Sequence, residues 1–151
     1  MNIEGLLELN DFQSLKSEIA KLDSIEMHHS WTQAQWNQIE LNWKQYKIFV
    51  SSHHGNINAF ALFLVSDIDA AHLLKIAVLS SHRTRGIGSS MIKICKDYFA
   101  KQNYSSLYLE VAENNESAIE FYLKNDFKKL ILKKNFYSDG LAAYAMQAKL
   151  N

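Results

Sequence analysis

The spacing of apolar residues in the first third of the chain predicts two helices. Helical patterns run over residues 11–25 and 32–45. The second pattern opens with Thr32, which can cap a helix, and Gln35 stands three residues later, where a capping box has Glu or Gln. We therefore expect two helices before the first strand.

Apolar segments typical of strands come next. Residues 46–51 and 59–65 have this pattern, and the turn at residues 53–56 between them makes the pair a hairpin. Residues 72–79 form a further apolar strand that ends in a polar loop. From Gly86 onward the apolar residues recur at three- and four-residue steps, which predicts an amphipathic helix.

The last third of the chain completes an α/β pattern. A strand at residues 107–111 precedes a helix at 115–124, and two strands follow at 127–136 and 141–149. Helices, hairpin and β-α-β-α-β-β in this order predict one domain over residues 1–151, with a mixed central sheet of about six to seven strands and about four flanking helices.

Composition excludes several classes of protein. The chain of 151 residues is 48% hydrophobic and 21% charged, as in ordinary globular domains. Sixteen basic and sixteen acidic residues give no net charge, so a general nucleic-acid binder is not expected. No apolar run reaches the ~20 residues that span a membrane, and the N-terminus does not resemble a signal peptide. The single cysteine, Cys95, cannot form an intrachain disulfide, which favours the cytoplasm.

The loop Arg83-Thr84-Arg85-Gly86-Ile87-Gly88 is the most informative segment, because it joins a predicted strand to a predicted helix. Without side chains at its two glycines, a ligand can approach the backbone closely. The first amides of the helix have no intrahelical acceptor and lie at the positive end of the helix dipole. Together with two arginines, these features predict a pyrophosphate site. A glycine-rich helix start with two solvated arginines is the alternative.

Two other phosphate-binding motifs do not fit this loop. A Walker A loop ends in Gly-Lys-Ser/Thr, which is absent here. A dinucleotide-binding fingerprint needs a third glycine where this chain has Met91, and it needs more βα units than the remaining residues can form.

Arg83-x-x-Gly86-x-Gly88 resembles the Gln/Arg-x-x-Gly-x-Gly/Ala motif with which members of the GNAT superfamily hold the pyrophosphate of CoA. The preceding Ile76-Ala77-Val78 is similar to the strand that pairs with the pantetheine arm in that family. The resemblance implies an acetyl-CoA-dependent N-acetyltransferase that needs no metal. The cofactor-binding residues that it implies are Ile76, Ala77, Val78, Arg83, Thr84, Arg85, Gly86, Ile87, Gly88, Ser89 and Asn115.

Within the superfamily, the chain most resembles the bacterial ribosomal-protein-alanine N-acetyltransferases. Leu109-Glu110-Val111, then Asn115 and Tyr122, match their strand, asparagine and helix tyrosine at the same spacing. Trp31 is similar to a tryptophan that enters the second helix of those enzymes, and Tyr137 belongs to a segment similar to the asparagine and aromatic pair that leads into their substrate loop. Both are therefore candidates for substrate binding. The implied acceptor is the N-terminal α-amine of a protein.

The chemistry of acetyl transfer suits two of these residues. An amine attacks a thioester only when it is unprotonated, and a carboxylate at a strand end, directly or through one water, can accept the proton. Glu110 is the candidate general base, since alternation along its strand puts it on the face opposite Leu109. Tyr122 is the candidate general acid for the departing sulfur. The alternatives are a salt-bridged Glu110, a core aromatic at Tyr122 and a helix cap at Asn115.

Departures from the family pattern concern mainly the acceptor. Asp126 stands where the family commonly has glycine, at a turn that Asp tolerates better than most residues. Lys75 precedes Ile76 where the alanine-acetylating enzymes usually have an uncharged residue. A small-molecule amine or a lysine side chain therefore remains an alternative acceptor. A non-catalytic acyl-CoA-binding module remains an alternative of another class.

Overall fold

A mixed sheet with helices on both faces organises the chain in the computed structural model, which describes residues 4–66, 69–83 and 85–150. In chain order the elements are β1 (Glu4–Leu6), α1 (Leu9–Glu26), α2 (Gln33–Leu41), β2 (Tyr46–His53), β3 (Asn56–Leu64), β4 (Ala70–Val78), α3 (Ile87–Lys101), β5 (Ser106–Ala112), α4 (Glu116–Lys124), β6 (Lys128–Lys133) and β7 (Ala143–Lys149). The strands lie in the order β1-β2-β3-β4-β5-β7-β6. Only β4 and β5 are parallel neighbours among these strands. The predicted α/β fold is confirmed.

The largest differences from the sequence prediction concern β1, α2 and β6. The strand β1 was not predicted, because its three residues are too few to show alternation before they pair with β2. The helix α2 has the predicted capping box at Thr32 and Gln35, but it ends at Leu41 rather than at residue 45, because Asn42 leaves the helical conformation. The strand β6 ends at Lys133, since Asn135 turns the chain with a positive φ of 53°.

Two buried clusters cover the two faces of the sheet. Alternation along β3 sends Ala61 and Phe63 into one cluster, with α3 and α4, and sends Phe60 and Leu62 into the other, with α1 and α2. Cys95 of α3 is fully buried in the first cluster, and this burial raises the pKa of its thiol. No helix in the described part of the chain is long and apolar enough to cross a membrane.

A β-bulge in β4 changes which face its residues use. Leu73 pairs with Phe63 and Lys75 pairs with Leu62, so Leu74 is an extra residue between them. As a result Leu73 packs in the α3 cluster, whereas Lys75 turns towards α1. Unbroken alternation would have put Leu73 and Lys75 on the same face.

Candidate active site

The parallel strands β4 and β5 separate after a short paired stretch. They pair at Ala70 with Ser106, and their last pair is His72 with Tyr108. Beyond that point β4 continues beside β3, and β5 continues beside β7. We call the space between residues 73–78 and 109–112 the wedge. It opens at the carboxyl ends of the two parallel strands, which is where α/β sheets bind ligands.

One side of the wedge is a main-chain edge of β4 that no strand in the described part of the chain pairs with. The N–H of Leu79 donates to the carbonyl oxygen of Asn58 at 2.8 Å. Because hydrogen-bonded pairs alternate in antiparallel strands, Ala77 also directs its main chain to β3, whereas Ile76 and Val78 direct theirs into the wedge. An edge of this kind binds extended ligands by hydrogen bonding. Of the three predicted residues, Ile76 and Val78 fit a pantetheine arm, and Ala77 lies between them facing β3.

The N-terminus of α3 follows directly from this edge of β4. Gly86 precedes the helix in the left-handed conformation, with φ of 75°, and its carbonyl oxygen accepts the N–H of Ser90 at 2.9 Å. The amides of Ile87, Gly88 and Ser89 come before this first helical bond, so they have no intrahelical acceptor. These donors and the helix dipole fit a diphosphate.

The two positions of the loop favour glycine for different physical reasons. Gly86 has open space around its Cα, so its positive φ is what favours glycine there. At Gly88 a Cβ would lie 3.0 Å from two ring carbons of Phe121 and 3.6 Å from a methyl carbon of Val78. Gly88 therefore allows α4 to pack closely against the start of α3, in addition to the ligand approach that the sequence predicted.

The arginines of the loop lie in different surroundings. Arg83 donates from Nε to the carbonyl oxygen of Val78 at 3.2 Å and from Nη2 to Glu26 Oε2 at 2.7 Å. This ties the loop to β4 and to the end of α1. Arg85 is exposed. Thr84 lies outside the described residues.

Glu110 accepts three hydrogen bonds on the face of the sheet opposite α3. His72 Nε2 lies 2.6 Å from Glu110 Oε1, and Oε2 accepts the Tyr108 hydroxyl and Lys133 Nζ, each at 2.8 Å. The Glu110 side chain is only 10% exposed. We call these four residues the Glu110 cluster. The predicted face of Glu110 is confirmed, and the structure adds three partners that the sequence did not reveal.

These partners set the protonation of Glu110. Burial raises the pKa of the carboxyl group, but hydrogen bonds from His72, Lys133 and Tyr108 lower it more, and the result is a pKa of about 2. Lys133 responds in the opposite direction, since its hydrogen bond to Glu110 raises its pKa. Glu110 is therefore a firmly ionised carboxylate at neutral pH.

Tyr122 comes to the site from α4, on the other face of the sheet. It packs against the α3 cluster and against the ring of Phe127, with 5.5 Å between ring centroids. Burial, and then the nearby Tyr137, raise the pKa of Tyr122. Its phenol therefore keeps its proton at neutral pH, as a general acid requires.

Two loops meet on the face that carries Glu110. After α1, the ring of His29 stacks on the ring of Tyr137, from the loop between β6 and β7, with 4.7 Å between centroids and 8° between planes. Burial, and then Glu110, raise the pKa of Tyr137. The predicted substrate residue Tyr137 therefore lies in the electrostatic surroundings of Glu110.

A buried ion pair holds the loop after α1 in place. Lys75 Nζ donates to Asp23 Oδ1 and to the carbonyl oxygen of His29, both at 2.9 Å, and Asp23 Oδ2 accepts the N–H of Trp31 at 2.8 Å. Lys75 also lies 5.1 Å from the centre of the Trp31 ring. Burial lowers the pKa of Lys75, while the hydrogen bond to Asp23 acts in the opposite direction. The predicted substrate residue Trp31 is thereby fixed beside β4.

Two further predicted features have a local structural role. Asn115 Oδ1 accepts the N–H of Ala118 at 3.2 Å and so caps α4, which is the alternative that the sequence left open. Asp126 has φ of 69°, the left-handed conformation that the family's usual glycine would adopt. Within residues 4–66, 69–83 and 85–150, no group of three or more His, Cys, Asp and Glu side chains has the arrangement of metal ligands.

This fold, with its wedge and its glycine loop, defines a family. Residues 16–127 match the Acetyltransferase (GNAT) family, so the chain belongs to it. Acetyltransferases of this family use acetyl-CoA.

Two curated relatives and one solved structure show which members of the family the chain is similar to. The N-alpha-acetyltransferase of Sulfolobus acidocaldarius is 40% identical over 83 residues, which are 52% of this chain and 48% of the relative. The [ribosomal protein bS18]-alanine N-acetyltransferase of Escherichia coli K12 is 30% identical over 94 residues, 62% of this chain and 63% of the relative. The crystal structure of the ribosomal-protein-S18-alanine N-acetyltransferase from Escherichia coli has a TM-score of 0.85 at 25% identity and covers 100% of this chain and 95% of its own. The chain spans about half the length of the archaeal relatives that it matches.

Proposed function

We propose that this protein transfers the acetyl group of acetyl-CoA to the N-terminal α-amine of another protein. Acetyl-CoA supplies a thioester, whose carbonyl carbon the amine attacks and whose sulfur leaves. The wedge is the single observation that carries the proposal, because a strand edge at Ile76 and Val78 without a strand partner lies next to helix amides beyond Gly86 without an intrahelical acceptor. Main-chain donors at the same edge would also stabilise an oxyanion.

Residues on the two faces of the sheet suit the two proton transfers of the reaction. One transfer removes a proton from the amine, and the other supplies a proton to the sulfur. The Glu110 cluster lies on one face of the sheet, where the amine would lose its proton. Tyr122 packs on the other face with a phenol that retains its proton, and it would donate that proton to the leaving sulfur. Direct attack by the amine needs no covalent bond to the enzyme.

Two observations favour a protein N-terminus as the acceptor over a lysine side chain or a small amine. The stacked rings of His29 and Tyr137 lie on the face that carries Glu110, where a peptide backbone leading away from the amine would contact them. The curated relatives reported above are named for α-amine and alanine N-acetylation. Such acceptors are met in the cytoplasm, the compartment that the free thiol of Cys95 favours.

The test is a release assay for the CoA thiol with purified protein and acetyl-CoA. The acceptors are an Ala-initiated peptide, the same peptide with a blocked N-terminus and an internal lysine, and a polyamine. We expect thiol release only with the free N-terminus, and mass spectrometry should locate the acetyl group there. Transfer confined to lysine or polyamine would refute the proposed acceptor. Calorimetric binding of acetyl-CoA without turnover on any amine would indicate a binding module instead.

A further inference from the structure

His72 stands between the Glu110 carboxylate and solvent. It belongs to the last residue pair that joins β4 to β5, so it lies at the base of the wedge. Its side chain is 31% exposed, compared with 10% for Glu110. The distance of 2.6 Å between His72 Nε2 and Glu110 Oε1 is short, which is typical of a charge-assisted hydrogen bond.

Glu110 is poorly suited to hold the proton that the amine gives up. Its two oxygens already accept three hydrogen bonds, from a histidine, a tyrosine and a lysine. These hydrogen bonds hold the pKa of Glu110 well below the usual carboxyl range, which makes the carboxylate a weak base. A base that works at neutral pH should have a pKa much closer to it.

The hydrogen bond fixes the tautomer of His72. An ionised carboxylate only accepts, so the proton of the neutral imidazole lies on Nε2, and Nδ1 keeps a lone pair. We propose that Nδ1 of His72 accepts the proton of the attacking amine and that Glu110 is its positioning residue. This inference rests on the proposed function. It differs from the sequence-based prediction, in which the carboxylate itself takes the proton.

The proton balance closes within the residues already described. The acceptor binds as the neutral amine. While the nitrogen–carbon bond forms and the carbon–sulfur bond breaks, the nitrogen loses one proton to His72, and the sulfur gains one from the Tyr122 hydroxyl. His72 then releases its proton to solvent and Tyr122 recovers one from solvent, so that both residues return to their starting forms.

The surroundings of His72 suit this exchange. A cavity of about 370 Å³ lined by Leu64, Ser66, Ala70, His72 and Tyr108 connects the imidazole with solvent. The charged and titratable groups around the imidazole are Glu110, Tyr108 with its ring centroid 5.1 Å away, and Lys133, which lies 5.3 Å above the Tyr108 ring. The Glu110 carboxylate stabilises the imidazolium that forms, and Lys133 keeps that carboxylate ionised.

The test compares kcat/KM of the wild type and His72→Gln from pH 5 to pH 9. Glutamine can donate to Glu110 but cannot accept a proton, and general base catalysis typically contributes about 10²- to 10⁴-fold. We expect a loss of at least about 10²-fold near pH 8 with the Kd for acetyl-CoA unchanged. The ratio of wild-type to variant rates cancels the ionisation of the acceptor, and it should fall towards acid pH, because an imidazole base acts only in its neutral form. A ratio that stays constant down to pH 5 would assign the proton to Glu110 and overturn the inference.

Glu110→Gln and the double variant supply a second readout. If Glu110 acts through His72, the double variant is no slower than the slower single variant, because residues that act as a unit are not additive. If the double variant instead loses kcat/KM by the product of the two single-variant losses, the two residues act independently, which would contradict the inference. His53→Gln, at the exposed last residue of β2, is the matched control and should change kcat/KM less than about twofold.

The outcomes separate this inference from the proposed function. Turnover of any amine is sufficient for the comparison, so a wild type that acetylates lysine or a polyamine refutes the acceptor but still tests His72. Wild-type turnover that His72→Gln leaves intact refutes only the role of His72. A wild type without turnover on any amine overturns both.

Discussion

Gly88 of α3 lies directly against the ring of Phe121 of α4, so close that a Cβ at position 88 would be 3.0 Å from two ring carbons. This contact limits how closely α4, which carries Tyr122, can pack against the start of α3, whose amides we propose as the pyrophosphate site. We expect Gly88→Ala to destabilise the protein by about 1 kcal/mol, because overpacking outweighs the higher helix propensity of alanine. Denaturant unfolding measures the change. Phe121→Leu in the same chain should recover part of it, and a simple sum of the two losses would contradict the contact.

Gly86 and Gly55 allow the effect of backbone strain to be separated from the effect on ligand binding. Both have positive φ, 75° and 80°, and neither has any atom within 4 Å of a built Cβ. Alanine at either position should cost about 1–2 kcal/mol of stability. Only Gly86→Ala should weaken acetyl-CoA binding in calorimetry, by roughly tenfold, because Gly86 leads into the exposed amides of α3. Equal weakening by both variants would show that the loss follows from stability alone.

Tyr122→Phe removes the proposed general acid without removing its ring. We expect kcat to fall about 10²-fold with little change in the Kd for acetyl-CoA. Tyr98→Phe is the matched control, since burial also raises the pKa of Tyr98, which packs against Phe49. Its kcat should stay within about twofold of the wild type. If Tyr122→Phe changes kcat and affinity to the same extent, Tyr122 acts in binding or packing.

The Glu110 cluster should make stability depend on acid pH. The folded-state pKa of about 2 is below the ordinary value of 4.5, so the ionised form is the one that folding favours. Its stabilisation, on the order of 2 kcal/mol after allowing for partial solvent screening, is complete above pH 4.5 and is lost as the pH falls towards 2. Urea unfolding of wild type and Glu110→Gln should show a difference that shrinks over this range. A difference independent of pH would rule out the ion pairs as its source.

The buried pair of Lys75 and Asp23 should be costly to break from one side. Lys75→Met leaves an uncompensated carboxylate that is fully buried, and we expect a loss of about 3–5 kcal/mol. Replacing Asp23 by Asn as well should recover about half, because the charge is then removed from both residues. Unfolding curves measure both values. A double variant less stable than Lys75→Met would contradict this account.

Much of the fold could be predicted because its signals are local. The capping box at Thr32, the periodic apolar face of α3 and the glycine loop each depend on residues a few positions apart. Asp126 could be predicted in the left-handed conformation for the same reason. The strand β1 could not, because three residues acquire their structure only through pairing with β2.

The candidate site was predicted only in part. Alternation gave the face of Glu110 but not its partners, and no local signal marked the bulge at Leu74 that turns Lys75 towards α1. In the sequence, His72 was only the first residue of a predicted strand and belonged to no recognised motif. Its importance depends on the pairing of β4 with β5, which places it beside a carboxylate 38 residues further along the chain.

By itself the sequence determined the α/β order of elements, the helix start that suits a diphosphate, and the candidates Glu110 and Tyr122. Tertiary structure alone decided the wedge, the three partners of Glu110, and the bond between Lys75 and Asp23, which are 52 residues apart. The physical reason is range: helix caps, turns and apolar periods act between near neighbours, whereas strand separation and buried charge pairs join distant segments whose meeting no local pattern encodes.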